Sequence, residues 1–207
     1  MVDATMGRRE RKKAATRQAL ADAALALFLE RGYDRVSIRD VAEAADVSTT
    51  TLFKHFPGKE ALVFDEEPER DAALVAAVRE RAPGQSIPQA LREHVRLARG
   101  GRDRDERFAA FRELVRNTPA LSAYAHRMWV RHQGALARAI AAEVGAAADD
   151  PYCAALARFA LEAPDIDPAA GAGARSLDAA FDLLEQGWNA LPYGSSPRPN
   201  APEPEAG

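Results

Sequence analysis

The stretch from Gly32 to Gly58 holds two serine-headed helix starts so close together that only short, tightly connected helices can accommodate them. In Ser37-Ile-Arg-Asp40 an acid follows three residues after a serine, the pattern in which hydroxyl and carboxylate cap opposite backbone amides, and it predicts a short helix running to about Ala45. Asp46-Val47 makes a tight connection. Ser48 is then placed to cap a further helix, Thr49 to about Phe56, by accepting hydrogen bonds from its free amides, and Pro57-Gly58 stops it. Upstream, Leu20, Ala23, Ala24, Leu27 and Phe28 recur at three and four residues, so Arg11 to Arg31 reads as an amphipathic helix closed by Gly32. Three helices, the second and third a few residues apart, have helix-turn-helix spacing.

The rest of the chain continues in helical periodicity, punctuated by proline and glycine. Helices are expected over Lys59 to Glu66, Pro68 to Arg81, Pro88 to Arg99, Asp105 to Thr118, Pro119 to Val144, Pro151 to Ala163 and Ser176 to Ala190, several with proline in the first turn where its missing N–H costs nothing. No alternating run bounded by turn residues is present. The expectation is an all-α fold: a basic arm over 1–12, a three-helix helix-turn-helix domain over 13–58, a larger helical domain over 59–190, and a disordered tail over 191–207, rich in Pro, Ser and Glu.

Charge is unevenly spread. Residues 1–60 carry 11 Lys and Arg against 9 Asp and Glu, whereas residues 61–207 carry 17 against 22, within an overall net charge of −3. The basic portion is the candidate for phosphate contact. Arg8, Arg9, Arg11, Lys12 and Lys13 read either as a phosphate or minor-groove arm or as a solvated tail. The single cysteine, Cys153, excludes an intramolecular disulfide and fits a reduced cytoplasm. The apolar stretch after the basic N-terminus is interrupted by Asp22 and has no cleavage-like boundary, so it reads as a helix and not a secretory signal. No apolar run approaches the roughly 20 residues that span a bilayer.

On a 100° helical wheel the third helix turns Leu52 and Phe56 inward, against Val41, Val47 and the first helix, and turns Thr50, Thr51, Lys54 and His55 outward. Small hydroxyls beside cations suit a major groove, where threonine meets base edges or a thymine methyl and cations meet phosphates; the alternative is an ordinary solvated face. Tyr33, Val36 and Ile38 have the spacing of buried positions.

The segment Gly32-Tyr-Asp-Arg-Val-Ser-Ile-Arg-Asp-Val-Ala-Glu-Ala-Ala-Asp-Val-Ser-Thr-Thr-Thr-Leu-Phe-Lys-His-Phe-Pro-Gly-Lys59, preceded by Leu-Phe-Leu-Glu-Arg and followed by Glu60-Ala-Leu62, resembles the DNA-binding domain of TetR-family regulators. The resemblance implies a ligand-responsive transcriptional regulator, by the family's usual mode a repressor, that binds a palindromic operator as a homodimer. It places Thr49, Thr50 and Phe53 near base edges and Thr51, Lys54 and His55 on phosphates. Ser37 and Arg39 approach from the second helix, Ser48 sits at the cap, and Lys59 meets phosphate from the start of the fourth helix, where free amides also favour an anion. Phe53 stands where the family usually has tyrosine, so contact there is apolar or by stacking.

Beyond residue 60 the resemblance names no ligand. Phe108 and Phe111, flanked by Arg112, line one helix face and Tyr124, Met128, Trp129 and His132 another; either face could wall a pocket for a small-molecule effector, and His132 reads equally as a core histidine held by one hydrogen bond. Leu177, Phe181, Leu184 and Trp188 form an apolar stripe read as a dimer contact, with packing inside the subunit as the alternative. No catalytic constellation, cofactor motif or metal-ligand spacing is found: His126 and His132 fall on opposite helix sides, and Gly171-Ala-Gly173 lacks the third glycine of a dinucleotide loop. A dimeric helical ligand-binding or interaction module is the rival to the regulator.

Overall fold

The computed structural model describes residues 7–65, 67–99, 106–163 and 173–192. Among them all regular structure is helical: α1 (Arg8–Arg31), α2 (Ile38–Ala44), α3 (Thr49–His55), α4 (Glu67–Arg79), α5 (Ile87–Arg99), α6 (Glu106–Asn117), α7 (Pro119–Val144), α8 (Pro151–Glu162) and α9 (Gly173–Asn189), with 3-10 turns at Tyr33–Arg35 and Glu60–Leu62.

Several boundaries differ from expectation for local reasons. The basic residues from Arg8 to Lys13 belong to α1 and do not form a separate arm, while residues 1–6 lie outside the described residues. Lys and Arg are good helix formers, and Glu10 sits in the first turn. The helix expected over Lys59 to Glu66 is only a 3-10 turn. Ala61, Leu62 and Val63 are buried consecutively, which a surface α-helix with one apolar stripe cannot do. Helix α9 starts at Gly173, so this glycine is not in a loop; Asp105, Gly171 and the tail beyond Pro192 lie outside the described residues.

The chain divides into two compact units. The first contains α1 to α3, the chain up to residue 67, α6 and α7 up to Arg127. Its core is Leu20, Ala24, Phe28, Val36, Val41, Leu52, Phe56, Leu62 and Leu121, with Phe64, Phe111 and Tyr124 packed against it. A continuous domain over 59–190 is therefore not what forms: α6 and the first turns of α7 supply apolar surface to the core of the first unit.

The second unit contains α4 from Pro68, α5, α7 from Met128, α8 and α9. Leu91, Leu136, Ile140, Leu156, Phe181 and Trp188 lead its core, and Cys153 is buried among them. Local signals set its elements. Gly145 ends α7 with φ 68°, and Asp150 caps α8 by accepting from the amides of Tyr152 at 3.0 Å and Cys153 at 2.9 Å, with Pro151 at the first helical position. Polar links fasten α5 to α9: Arg92 to Asp182 at 2.6 Å, Arg96 to Asp178 at 2.5 Å, and Ser86 Oγ to Glu185 at 3.2 Å. Arg81, buried, donates to the Val78 carbonyl at 2.8 Å and pairs with Glu143.

Candidate nucleic-acid interface

Local hydrogen bonds set the starts of α2 and α3. Ser37 accepts from the Asp40 amide at 3.1 Å while the Asp40 carboxylate accepts from the Ser37 amide at 2.7 Å, a reciprocal box. These bonds to Ser37 hold the Asp40 carboxyl below its ordinary value of 3.8. Asp46 adopts φ 52°, a left-handed conformation that short polar side chains tolerate, and the Val47 amide closes the turn on the Ala42 carbonyl at 2.9 Å. Ser48 Oγ then accepts from the Thr51 amide at 3.1 Å and lies 2.9 Å from Thr51 Oγ1.

Leu52 and Phe56 are buried beneath α3, each worth about 2 kcal/mol by area removed from water. Val41 and Val47 line the space they fill. Outward, Thr49, Thr50, Phe53 and Lys54 are exposed, as are Ser37 and Arg39 on α2, while Thr51, His55 and Lys59 are half-buried. Arg39, Ser48 and Thr49 line one open groove with Glu43 and Asp46. The expected residues therefore come together on one side of two adjacent helices, with two qualifications.

The first concerns Lys59. It precedes a three-residue 3-10 turn, too short to present a helix N-terminus to an anion. Its ammonium instead donates to the Tyr33 carbonyl and lies 3.9 Å from the Tyr33 ring and 5.4 Å from the Phe28 ring. Burial lowers its pKa. Burial, together with the charge and hydrogen bond of Glu60, raises that of the Tyr33 phenol. Lys59 is thus first a latch between the turn after α1 and the turn after α3.

The second is Arg17, a residue of α1. Its guanidinium donates to the His55 carbonyl at 2.9 Å and the Asp65 carbonyl at 3.0 Å, pairs with the Asp65 carboxylate at 2.5 Å, and lies 4.5 Å from the Phe56 ring. One side chain of α1 therefore ties down the last turn of α3 and the chain leading to α4. Burial, then the charges of Lys13 and Arg17, lower the His55 pKa below 6.5, while Asp65 acts the other way. This half-buried guanidinium had no local sequence signal; its partners are remote in the chain.

A model of bacterial regulatory proteins of the tetR family matches residues 20–65, the segment that carries this surface. The regulator TcmR of Streptomyces glaucescens is 36% identical over 154 residues, covering 70% of this chain and 68% of that protein. This chain belongs to the TetR family. Solved structures agree in fold: SmeT in complex with triclosan covers 93% of this chain and 100% of its own at a TM-score of 0.59 and 20% identity. The TetR-family repressor AlkX from a Dietzia strain covers 86% and 98% at 0.55 and 21%.

For a TetR-family regulator the second group of expected residues needs redistribution. Phe108, Phe111 and Tyr124 belong to the first unit and Met128, Trp129 and His132 to the second, so they do not line two faces within one domain. Phe64, not foreseen, organises the first set: its ring stacks on Tyr124 at 5.3 Å and meets Phe111 edge-on at 5.9 Å, and Phe111 stacks on Phe108 at 6.0 Å. Such pairs are core packing. Arg112 is exposed; Met128 and His132 are buried and Trp129 half-buried.

The α9 stripe is also corrected. Leu177, Phe181 and Trp188 are buried and Leu184 half-buried inside the subunit, in the core shared with Leu91, Val95 and Leu156. Three of these four side chains are thus taken up by packing within the subunit. The exposed large apolar residues of α5, α8 and α9 are Leu97 at 83%, Tyr152 at 56%, Phe159 at 52% and Leu183 at 70%. No described helix is long and apolar enough to cross a membrane.

Proposed function

We infer that this chain regulates transcription from the cytoplasm by binding a palindromic operator as a homodimer, and that a small-molecule effector releases it. The carrying observation is the outward side of α3, where Thr49, Thr50, Phe53 and Lys54 stand exposed above buried Leu52 and Phe56. Thr49, Thr50 and Phe53 meet base edges, Lys54 and His55 meet phosphates, and Ser37 and Arg39 add contacts from α2. Thr51 and Ser48, bonded to each other, mainly hold the helix start; Lys59 contributes positive field while it latches Tyr33.

Triclosan bound to SmeT supports a small-molecule effector here, and Met128, Trp129 and His132 in α7 are the candidate contacts. Phe108, Phe111 and Tyr124 serve packing. A second copy meets this one through Tyr152 and Phe159 on α8 and Leu183 on α9, large apolar side chains that the subunit itself leaves in water. The action is binding, without a catalytic step.

Selection of duplexes from a random pool by the full chain tests this. An enriched palindrome is expected, bound with an affinity that falls steeply with salt as several phosphates shed counterions. Recovery of no preferred sequence at any salt concentration leaves only a helical interaction module.

A further inference from the structure

The side chain exposed at the centre of α3 carries no polar atom. Phe53 is 56% exposed although it sits between buried Leu52 and surface Lys54. Its ring does not contribute to the core of the first unit, which Leu52 and Phe56 enter from the other side of the same helix. Thr49 and Thr50 lie four and three residues earlier and therefore share its side of the helix. The other two hydroxyls at the start of α3, those of Ser48 and Thr51, are bonded to each other. The groups left to read a surface are two threonine side chains and one phenyl ring.

That set is informative about what it fits. Bidentate reading of guanine or adenine requires Arg, Lys, Asn or Gln, and the α3 sequence Thr-Thr-Thr-Leu-Phe-Lys-His supplies only Lys54, on the phosphate side. A phenyl ring can neither donate to a base edge nor bond a phosphate. In the major groove one base alone presents an apolar group, the C5-methyl of thymine. Arg39 of α2, on the groove it shares with Ser48 and Thr49, is the neighbouring guanidinium available for a guanine or a phosphate.

We propose that Phe53 is a specificity-determining residue that reads a thymine by packing on its C5-methyl group, giving each operator half-site one preferred thymine. The assignment rests on the operator-binding reading above and adds the chemistry of one contact to it.

The test uses the duplex recovered by the full chain from a random pool, remade with each thymine in turn, in both half-sites, replaced by deoxyuridine, which lacks only the methyl group. At one position per half-site the substitution should weaken binding about fourfold for each methyl lost, the size of one buried methyl group. Phe53→Ala should bind the thymine and uracil duplexes equally, and Phe53→Leu should keep part of the preference, because it retains an apolar contact. Both variants should unfold at the midpoint of the parent, since the side chain is exposed. Indifference to uracil at every position, or an undiminished thymine preference in Phe53→Ala, overturns the assignment to Phe53 while leaving operator binding intact. Failure to recover any preferred duplex overturns the operator-binding reading, and this inference with it.

Discussion

Two short runs of side chains, one in each unit, were both expected to face another molecule and behave oppositely. The outward residues of α3 remain at the surface, because the helix contributes Leu52 and Phe56 to the core of the first unit from its other side. The stripe of α9 vanishes into its own subunit, because α5 and α8 offer it a matching apolar surface and the Arg92 and Arg96 ion pairs hold the register. A surface for another molecule is thus what remains after intrachain packing has taken its share. On α3 that remainder is polar and cationic with one phenyl ring; among the described residues of the second unit it includes the large apolar groups Leu97, Val130, Tyr152, Phe159 and Leu183.

The contrast is most exposed to failure at Phe181. Phe181→Ala should cost about 3–5 kcal/mol of stability through the cavity it leaves, read by denaturant unfolding of the full chain. A loss confined to dimer association, with the subunit as stable as before, restores the α9 stripe to an interface. The converse double substitution, Phe159→Glu with Leu183→Glu, should weaken self-association about 100-fold or more in sedimentation equilibrium and leave subunit unfolding nearly unchanged. A dimer of undiminished affinity removes this face from the interface.

Within the first unit, Arg17→Gln sharpens the difference between groups that hold α3 and groups that use it. Removing the guanidinium strands the Asp65 carboxylate and the His55 carbonyl, at about 1–3 kcal/mol of stability. Operator affinity should fall by the same cause, although Arg17 is engaged within the protein, and the imidazole of His55 should titrate at higher pH by proton resonance, since a repelling charge has gone and Asp65 remains. An unmoved titration breaks the link between them. Ser48→Ala, which removes the α3 cap, should cost about 1 kcal/mol and weaken binding to every duplex alike. Selective loss on one sequence makes Ser48 a reader as well.

The smallest effect is pH-dependent. His55 has its pKa lowered by burial and nearby cations, so the unfolded chain binds its proton first. The contribution of neutral His55 is complete above 6.5 and is lost as pH falls through the lower folded value. His55→Gln should flatten the pH dependence of unfolding below 6.5 without changing it above. An unaltered slope assigns the acid sensitivity to other groups.

Much of the first unit was legible because its determinants are local. Ser37 with Asp40, Ser48 with Thr51, and the left-handed turn at Asp46 act within a few residues, and each forms where the spacing placed it. The spacing of Leu52 and Phe56 likewise decided which side of α3 faces out. Arg17 and Phe64 were missed because their roles depend on Asp65 and His55, and on Phe111 and Tyr124, far along the chain. Lys59 was half seen: its place beside α3 was readable, but not the Tyr33 carbonyl that claims its ammonium.

The amino-acid sequence alone determined the all-helical class, the two capped helices and the chemistry offered by α3, since hydrogen bonds and periodicity between near neighbours suffice for these. Only the tertiary structure decided that α6 completes the first unit and that the α9 stripe is buried, leaving Tyr152, Phe159 and Leu183 in water. An apolar stripe states that it must be covered and not by what, because the hydrophobic effect has no direction and accepts any partner of matching shape.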